Sequence, residues 1–195
     1  MKAIYLCTFC IGVASLAIGA DAGRGIDLYR KNDLGGAVSA LRQAVKANPD
    51  DARANAYLGM ALAEQGKASE AEPFVQKANE IDSGGESKLA LARLNIEKKD
   101  YDGAAAALAD AQGEETAYVR GLLALNRKEY DAAAKDLDSF AQSHPDFAYA
   151  HYYAGLAYNG MKRPDKMLSH FEMFVRMKPD APEAGKVRSI LRTGR

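Results

Sequence analysis

The side chains best suited to catalysis or metal binding in this sequence are its three histidines. They are His144, His151 and His170, which are separated by 7 and 19 residues. Two histidines that bind one metal ion from a single helix lie on adjacent turns, four residues apart. Neither separation fits that pattern. We therefore predict structural roles for the histidines and no metal site.

Glycine-containing segments and carboxylates give no stronger indication of an active site. Gly66-Lys67 is followed by Ala68, whereas a phosphate-binding loop has Ser or Thr after its lysine and follows a strand. The N-terminal glycines do not have the spacing of a dinucleotide-binding motif. Carboxylates lie in mixed-charge segments such as Glu97-Lys98-Lys99-Asp100, which are typical of solvated helix faces. The sequence therefore predicts no catalytic residue, no cofactor and no enzymatic activity.

Composition limits the classes of partner. The chain has 195 residues, of which 48% are hydrophobic and 27% charged, so a folded body is expected. Its 26 basic and 26 acidic residues are interspersed and balance to a formal net charge of zero. Nothing creates the positive field that nucleic acid or an anionic membrane surface would require. Both cysteines, Cys7 and Cys10, lie near the N-terminus, which excludes a disulfide framework or a cysteine nucleophile elsewhere.

Residues 1–22 have the pattern of a secretory signal peptide. Met1-Lys2 supplies a positive start, the run from Ala3 to Ala20 carries no charge, and small residues follow. Cleavage after Ala22 fits best, and cleavage after Ala17 or Ala20 is an alternative. The apolar run is also about long enough to remain as an uncleaved membrane anchor, because roughly 17–25 residues span a bilayer.

The rest of the chain repeats itself. Equivalent residues recur 34 positions apart at both ends, and a shorter unit lies between them, offset by 33 residues from Ala71 to Ala104 and by 29 from Ala104 to Ala133. Each unit contains two short amphipathic segments of helical periodicity separated by a turn. Glycine or alanine in the first segment predicts close helix packing. The pairs that define the 34-residue spacing are Gly25 and Gly59, Ala37 and Ala71, Gly121 and Gly155, and Pro145 and Pro179.

This arrangement resembles the tetratricopeptide-repeat (TPR) family. The best-matching segments are Ala52 to Ala78 and Ala148 to Pro179, with a small residue in the first helix and alanine in the second. The resemblance implies an all-α fold, a right-handed superhelix of about five helix-turn-helix repeats. The repeat domain covers 23–181, with units at about 18–51, 52–84, 85–113, 114–147 and 148–181, and residues 182–195 form a C-terminal capping helix.

Three departures from the family pattern affect the expected shape. The third unit is about five residues short, which predicts a truncated second helix and a bend in the superhelix. Gly84-Gly85 replaces the usual proline and predicts a looser joint. Pro73 lies one turn into a second helix, where it is expected to delay the start of that helix.

The resemblance also implies a binding surface, because a TPR superhelix exposes its first helices on the concave side. The groove-facing positions in this chain are Arg53, Ala56, Met60, Glu64, Arg93, Glu97, Tyr118, Leu122, Leu125, Asn126, Tyr149, Tyr152, Leu156 and Asn159. The main contact patch is expected at Tyr118, Leu122, Tyr149, Tyr152 and Asn159, since tyrosine offers a large contact area and a hydroxyl group. The alternative is that these side chains pack between neighbouring units.

A function follows from the resemblance as an expectation. The chain is expected to be an adaptor that binds a protein or peptide in the bacterial cell envelope, after export to the periplasm. A self-associating scaffold and a membrane-anchored array facing the periplasm are alternatives. Some TPR domains hold a chaperone C-terminus with Lys and Asn in successive first helices. This chain lacks that Lys and Asn arrangement, because the corresponding positions hold Ala22 and Ile26, Ala56 and Met60, and Leu89 and Arg93.

Overall fold

The computed structural model describes residues 22–194, and in this range all regular secondary structure is helical. The expected all-α fold is therefore confirmed. Residues 1–21 of the predicted signal peptide and Arg195 lie outside the described residues. The helices are α1 (Ala22–Arg30), α2 (Leu34–Ala47), α3 (Ala52–Glu64), α4 (Ala68–Ile81), α5 (Gly85–Glu97), α6 (Tyr101–Ala109), α7 (Thr116–Asn126), α8 (Tyr130–Ser143), α9 (Ala148–Gly160), α10 (Pro164–Met177) and α11 (Ala184–Thr193).

The helices stack in line as a solenoid. Each odd-numbered helix from α1 to α9 packs against the even-numbered helix that follows it, and each even-numbered helix packs against the next odd one. We call α1, α3, α5, α7 and α9 the first helices, and α2, α4, α6, α8 and α10 the second helices. Neighbouring first helices also contact each other, so they form a continuous inner layer. The terminal helix α11 packs against α10 and buries Ala184 and Val187, as expected of a cap.

The turn between the two helices of every unit has the same backbone conformation. Two residues after each first helix, one residue has a positive φ of 52–75°. The amide of the next residue then bonds back to a carbonyl five positions earlier, as in Asp33 to Leu28 at 2.8 Å. Glycine is the usual residue at such a position, but lysine occupies three of the five, where its charge complements the negative end of the helix dipole. The positive-φ residues are Asn32, Gly66, Lys99, Lys128 and Lys162.

Glycine in the first helices lets the two helices of a unit approach closely. A Cβ atom on Gly59 would lie 2.4 Å from Val75 Cγ2, and one on Gly121 would lie 2.7 Å from Leu137 Cγ. The predicted close approach is present. The large residue of the second helix lies directly over the glycine of its own unit.

The sequence departures have mixed outcomes. Helix α6 has 9 residues whereas the other second helices have 14, which confirms the truncation. The expected delay at Pro73 is wrong, because α4 begins at Ala68 and continues through the proline. The bond that Pro73 cannot donate would reach the carbonyl of the exposed Ser69, which water can satisfy. Gly85 lies against the loop after α6, where an added Cβ would be 2.6 Å from the Gln112 carbonyl oxygen.

Within residues 22–194, no helix combines the length and apolarity needed to cross a bilayer.

The close helix approach gives a testable prediction. Gly59→Ala should lower the free energy of unfolding by about 1–3 kcal/mol, because the new methyl group overlaps Val75, even though alanine favours helix. Gly185→Ala is the matched control. A Cβ there meets nothing within 4 Å, so stability should stay unchanged or rise by up to about 1 kcal/mol. Urea unfolding measures both, and equal effects of the two substitutions would contradict the packing.

Candidate functional site

Side chains from all five first helices converge on one buried polar cluster, which we call the Arg93 hub. It contains Tyr29 of α1, Glu64 of α3, Arg93 of α5, Tyr118 of α7 and Tyr153 of α9. The side chains of Arg93 and Glu64 are only 7% and 5% exposed. The inner layer of the solenoid therefore closes around a charged pair in this region and does not form an open wall.

The hub is held by one good hydrogen bond and by longer electrostatic contacts. The Tyr118 hydroxyl donates to Glu64 Oε1 at 2.9 Å. Arg93 Nε lies 4.0 Å from Glu64 Oε2, and Arg93 Nη1 lies 3.8 Å from Glu97 Oε2. Arg93 Nε, Glu64 Oε2 and the Tyr29 hydroxyl are buried without a hydrogen bond of good geometry. The charges are thus only partly compensated, and removal of either partner should be costly.

The environment of the hub acts strongly on its ionisable groups. Burial, followed by the nearby carboxylate of Glu64, raises the pKa of the Tyr118 hydroxyl well above its usual value, and the same two causes act on Tyr29. For Arg93, burial opposes the charged form, but Glu64 and the hydroxyls of the surrounding tyrosines together outweigh burial, and the pKa of the guanidinium is raised. Arg93 is therefore a permanent positive charge in the interior.

A second buried contact joins the first, second and fourth units, and we call it the Glu115 clamp. Glu115 precedes α7 and is 1% exposed. Its carboxylate accepts hydrogen bonds from Arg30 Nε at 2.9 Å and from the Tyr57 hydroxyl at 2.8 Å. Arg30 also pairs with Glu114 at 2.7 Å. Residues 85 positions apart in the sequence therefore meet at the end of α1.

These contacts change the outcome for the predicted groove residues. Met60 and Tyr118 are 0% exposed, Leu122 is 3%, and Arg93 is 6%. The expectation that these residues line an open groove is wrong in this structure. Arg93 and Tyr118 are buried because they belong to the hub, and Glu64 is buried with them.

Tyr149 is covered for a different reason. It is 9% exposed, and its hydroxyl donates to Glu183 at 2.8 Å, next to the capping helix. Its ring packs edge-on against Phe174 with the centroids 5.2 Å apart. Tyr149 is therefore occupied by its own unit and by the residue that precedes the capping helix.

Of the remaining predicted positions, Ala56 is buried and the others are accessible. Arg53, at the N-terminal end of α3, is exposed and pairs with Glu86 at 3.0 Å. Asn126 and Asn159 are exposed, and Tyr152 is half-buried. Helices α7 and α9 pack against each other. Asn126 and Asn159 lie near their C-terminal ends, Tyr152 lies in the N-terminal half of α9, and each helix also carries one half-buried leucine. We call this set the α7–α9 patch: Leu125, Asn126, Tyr152, Leu156 and Asn159.

The structure also brings together two histidines that the sequence keeps apart. His151 Nδ1 on α9 lies 3.1 Å from His170 Nδ1 on α10. On its other side, His170 Nε2 lies 3.2 Å from Asp138 Oδ1 on α8. Spacing within a single helix, which was the basis of the sequence prediction, does not detect a pair formed across two helices. Among residues 22–194, no three His, Cys, Asp or Glu side chains cluster as a metal site would require.

Several residues of these clusters were not identified from the sequence. Tyr29, Tyr57, Glu115 and Tyr153 were not singled out, although the three tyrosines lie on first helices, in the same inner layer as the predicted groove positions. An aromatic residue in each of four first helices was the available signal. Their partners lie on helices that are not adjacent in sequence, so periodicity alone does not reveal the contacts.

Comparison with known proteins agrees with this architecture. The family model described as tetratricopeptide repeat matches residues 23–86 and 118–182. The chain therefore belongs to the TPR family. Members of this family are typically non-catalytic scaffolds, and the fold suggests an adaptor for protein–protein interaction. No curated protein matches the sequence.

Solved structures show the same fold at low sequence identity. TTC0263, a thermophilic TPR protein of Thermus thermophilus, is 19% identical with a TM-score of 0.63 over 87% of this chain and 94% of that one. YrrB, described as a TPR protein with an unusual peptide-binding site, is 20% identical with a TM-score of 0.53 over 87% and 93%. PilF of Pseudomonas aeruginosa is 16% identical with a TM-score of 0.56 over 89% and 86%.

The structure of the Arg93 hub predicts strong energetic coupling between Arg93 and Glu64 in the free energy of unfolding. Arg93→Met should lower the free energy of unfolding by about 3 kcal/mol, because Glu64 is left as a buried charge without its neutralising partner. The double variant Arg93→Met, Glu64→Gln removes both charges and should recover more than half of that loss. Urea unfolding of the two single variants and the double variant gives the coupling free energy. Simple addition of the two single losses would show that the charges act independently.

Proposed function

We propose that this protein is a non-catalytic adaptor that binds a protein or peptide partner on the α7–α9 patch. The proposal rests on a difference in accessibility between the side chains at the hub and those of the α7–α9 patch. At the hub, the first helices are occupied by each other, whereas α7 and α9 present accessible apolar and amide side chains side by side.

The chemistry of the patch suits a polypeptide partner. Leu125, Leu156 and the ring of Tyr152 supply apolar area, and the tyrosine is held by contacts with Phe171 and Phe174. A packed aromatic side chain loses little conformational entropy on binding. The exposed amides of Asn126 and Asn159 can donate to and accept from a peptide main chain. The peptide-binding site described for YrrB supports binding as the function of such a fold.

The compartment is part of the proposal. The charge pattern of residues 1–22 favours export to a bacterial periplasm, where the protein would serve an envelope assembly. The mass of the exported protein distinguishes a cleaved signal from a retained anchor.

A photo-reactive phenylalanine at position 156 should crosslink to the partner in the native host. The same group at Tyr101, a half-buried residue that begins α6 away from the patch, is the control position. With the captured protein purified, Tyr152→Ala should weaken its binding about tenfold or more, because truncation of a packed aromatic contact commonly costs at least about 1.4 kcal/mol. Tyr101→Ala should change the affinity less than twofold.

Equal affinities of wild-type and Tyr152→Ala protein would contradict binding on the patch. If position 156 crosslinks only to a second copy of the chain, and the molecular mass in solution rises with concentration, the self-associating scaffold replaces the adaptor.

A further inference from the structure

A line of five polar side chains crosses the junction between the fourth and fifth units, and we call it the imidazole chain. The Lys166 ammonium donates to the Tyr158 hydroxyl at 3.2 Å, and that hydroxyl donates to Asp138 Oδ2 at 2.5 Å. Asp138 Oδ1 lies 3.2 Å from His170 Nε2, and His170 Nδ1 lies 3.1 Å from His151 Nδ1. The chain links α8 to both helices of the fifth unit.

The imidazole rings of His151 and His170 point their Nδ1 atoms toward each other. The Nδ1 atoms are 3.1 Å apart while the ring centroids are 5.3 Å apart, so each nitrogen points almost directly at the other. This is the geometry of a hydrogen bond, in which one nitrogen carries the proton and the other accepts it. A metal ion bound at about 2.0–2.1 Å by both rings would need lone pairs that converge at a point off this line. A shared proton is therefore the better fit.

The number of protons that this pair can hold is limited. Asp138 lies beside His170 Nε2, which favours a proton on that nitrogen. In the neutral pair, His170 Nδ1 then accepts from the Nδ1–H group of His151. A first extra proton can enter at His151 Nε2 without loss of the bond. A second would place an N–H group on both facing nitrogens, and the bond must break.

The surrounding charges make the second proton unfavourable. The charged groups around the pair are Asp138 from α8 and Lys166 and His170 from α10, with the Tyr158 hydroxyl on α9 itself. Burial lowers the pKa of His151, the neighbouring His170 lowers it further, and Asp138 opposes both. No group of α7, which also packs against α9, contributes to that pKa.

Asp138 remains ionised while the histidines titrate. Burial acts to raise the pKa of its carboxyl group, but the contact with His170, the hydrogen bond from Tyr158 and the charge of Lys166 together outweigh burial, and the pKa is lowered. Its contribution to stability is therefore present at every pH above its unfolded pKa of about 3.9. Within the imidazole chain, a loss of stability at mildly acidic pH therefore comes from the two histidines and not from Asp138.

We infer that the imidazole chain is a proton-operated latch, which stabilises the contact of α10 with α9 at neutral pH and weakens it when both rings are protonated. Since α9 carries Tyr152 and Leu156, acid would also weaken partner binding, a consequence that depends on the proposed function. The latch itself does not depend on it.

The pH dependence follows from the sign of the shift. A histidine whose pKa is lower in the folded state contributes its full stability above the unfolded value of about 6.5, and loses it as pH falls through the folded value. Each unit of lowering corresponds to about a tenfold loss in the folding equilibrium constant. The acid-sensitive window thus begins near pH 6.5 and extends below it.

The test uses the full chain without a partner. Carbon–hydrogen resonances of the three histidines are followed by NMR from pH 8 to 4.5, and urea unfolding is measured at pH 7.5 and 5.0. His151 should titrate at a lower pH than His144, which stacks on Phe140 and is not part of the imidazole chain. In His170→Gln, the His151 midpoint should rise. Wild-type protein should lose folding stability between the two pH values, and His151→Gln should lose much less.

His144→Gln is the matched control, since it removes a half-buried histidine but leaves the pair intact, and should retain the wild-type pH dependence. The latch is overturned if His151 titrates together with His144, or if wild-type and His151→Gln lose equal stability in acid. It is also overturned if zinc at neutral pH stabilises the wild type but not His151→Gln, because the rings would then share a metal ion. All of these measurements are made on the protein without a partner, so their outcome does not depend on the proposed binding function.

Discussion

The buried guanidinium of Arg93 is the constraint on which the rest of this solenoid depends. A charge in the interior is tolerated only with compensation, and here Glu64 and the surrounding hydroxyls supply it from four other helices. Because those helices are the first helices of successive units, their compensation also fixes how tightly the units wind around one another. The Glu115 clamp acts in the same direction by tying the fourth unit to the first. Both clusters bury charged groups, which costs desolvation free energy. In return, their contacts fix a single curvature of the superhelix.

That curvature decides where a partner can bind. Where the inner layer closes on the hub, side chains that a wider superhelix would present to a guest are occupied by neighbouring units. Toward the C-terminus the helices α7 and α9 carry accessible leucine, tyrosine and asparagine side chains. The short helix α6 is the local cause, since it removes a turn and a half of the usual second helix and lets the start of α7 reach the end of α1. The short third unit thus accompanies a shift of the accessible inner-layer side chains, the proposed binding surface, toward the C-terminal end.

Sequence reasoning was sufficient for features that depend on local periodicity. The 34-residue spacing identified paired helices, Gly59 and Gly121 identified close helix contacts, and the short third unit identified the truncated α6. It failed where contacts depend on the superhelical path. Periodicity shows that Met60 and Tyr118 lie on the inner face of their helices, but not whether that face meets another one. The pair of His151 and His170 was missed for the same reason, because its two members belong to different helices.

Contact between the first and fourth units can be measured directly in solution. A nitroxide attached at Glu114→Cys, with Cys7 and Cys10 changed to serine, would report on amide protons near Arg30 by paramagnetic broadening of their NMR signals. Dilution with unlabelled, isotope-free protein leaves only effects within one molecule. Closure around the hub predicts strong broadening of residues 28–32, because Arg30 and Glu114 are in contact. Unaffected signals at these residues would show an open superhelix and contradict the closed inner layer.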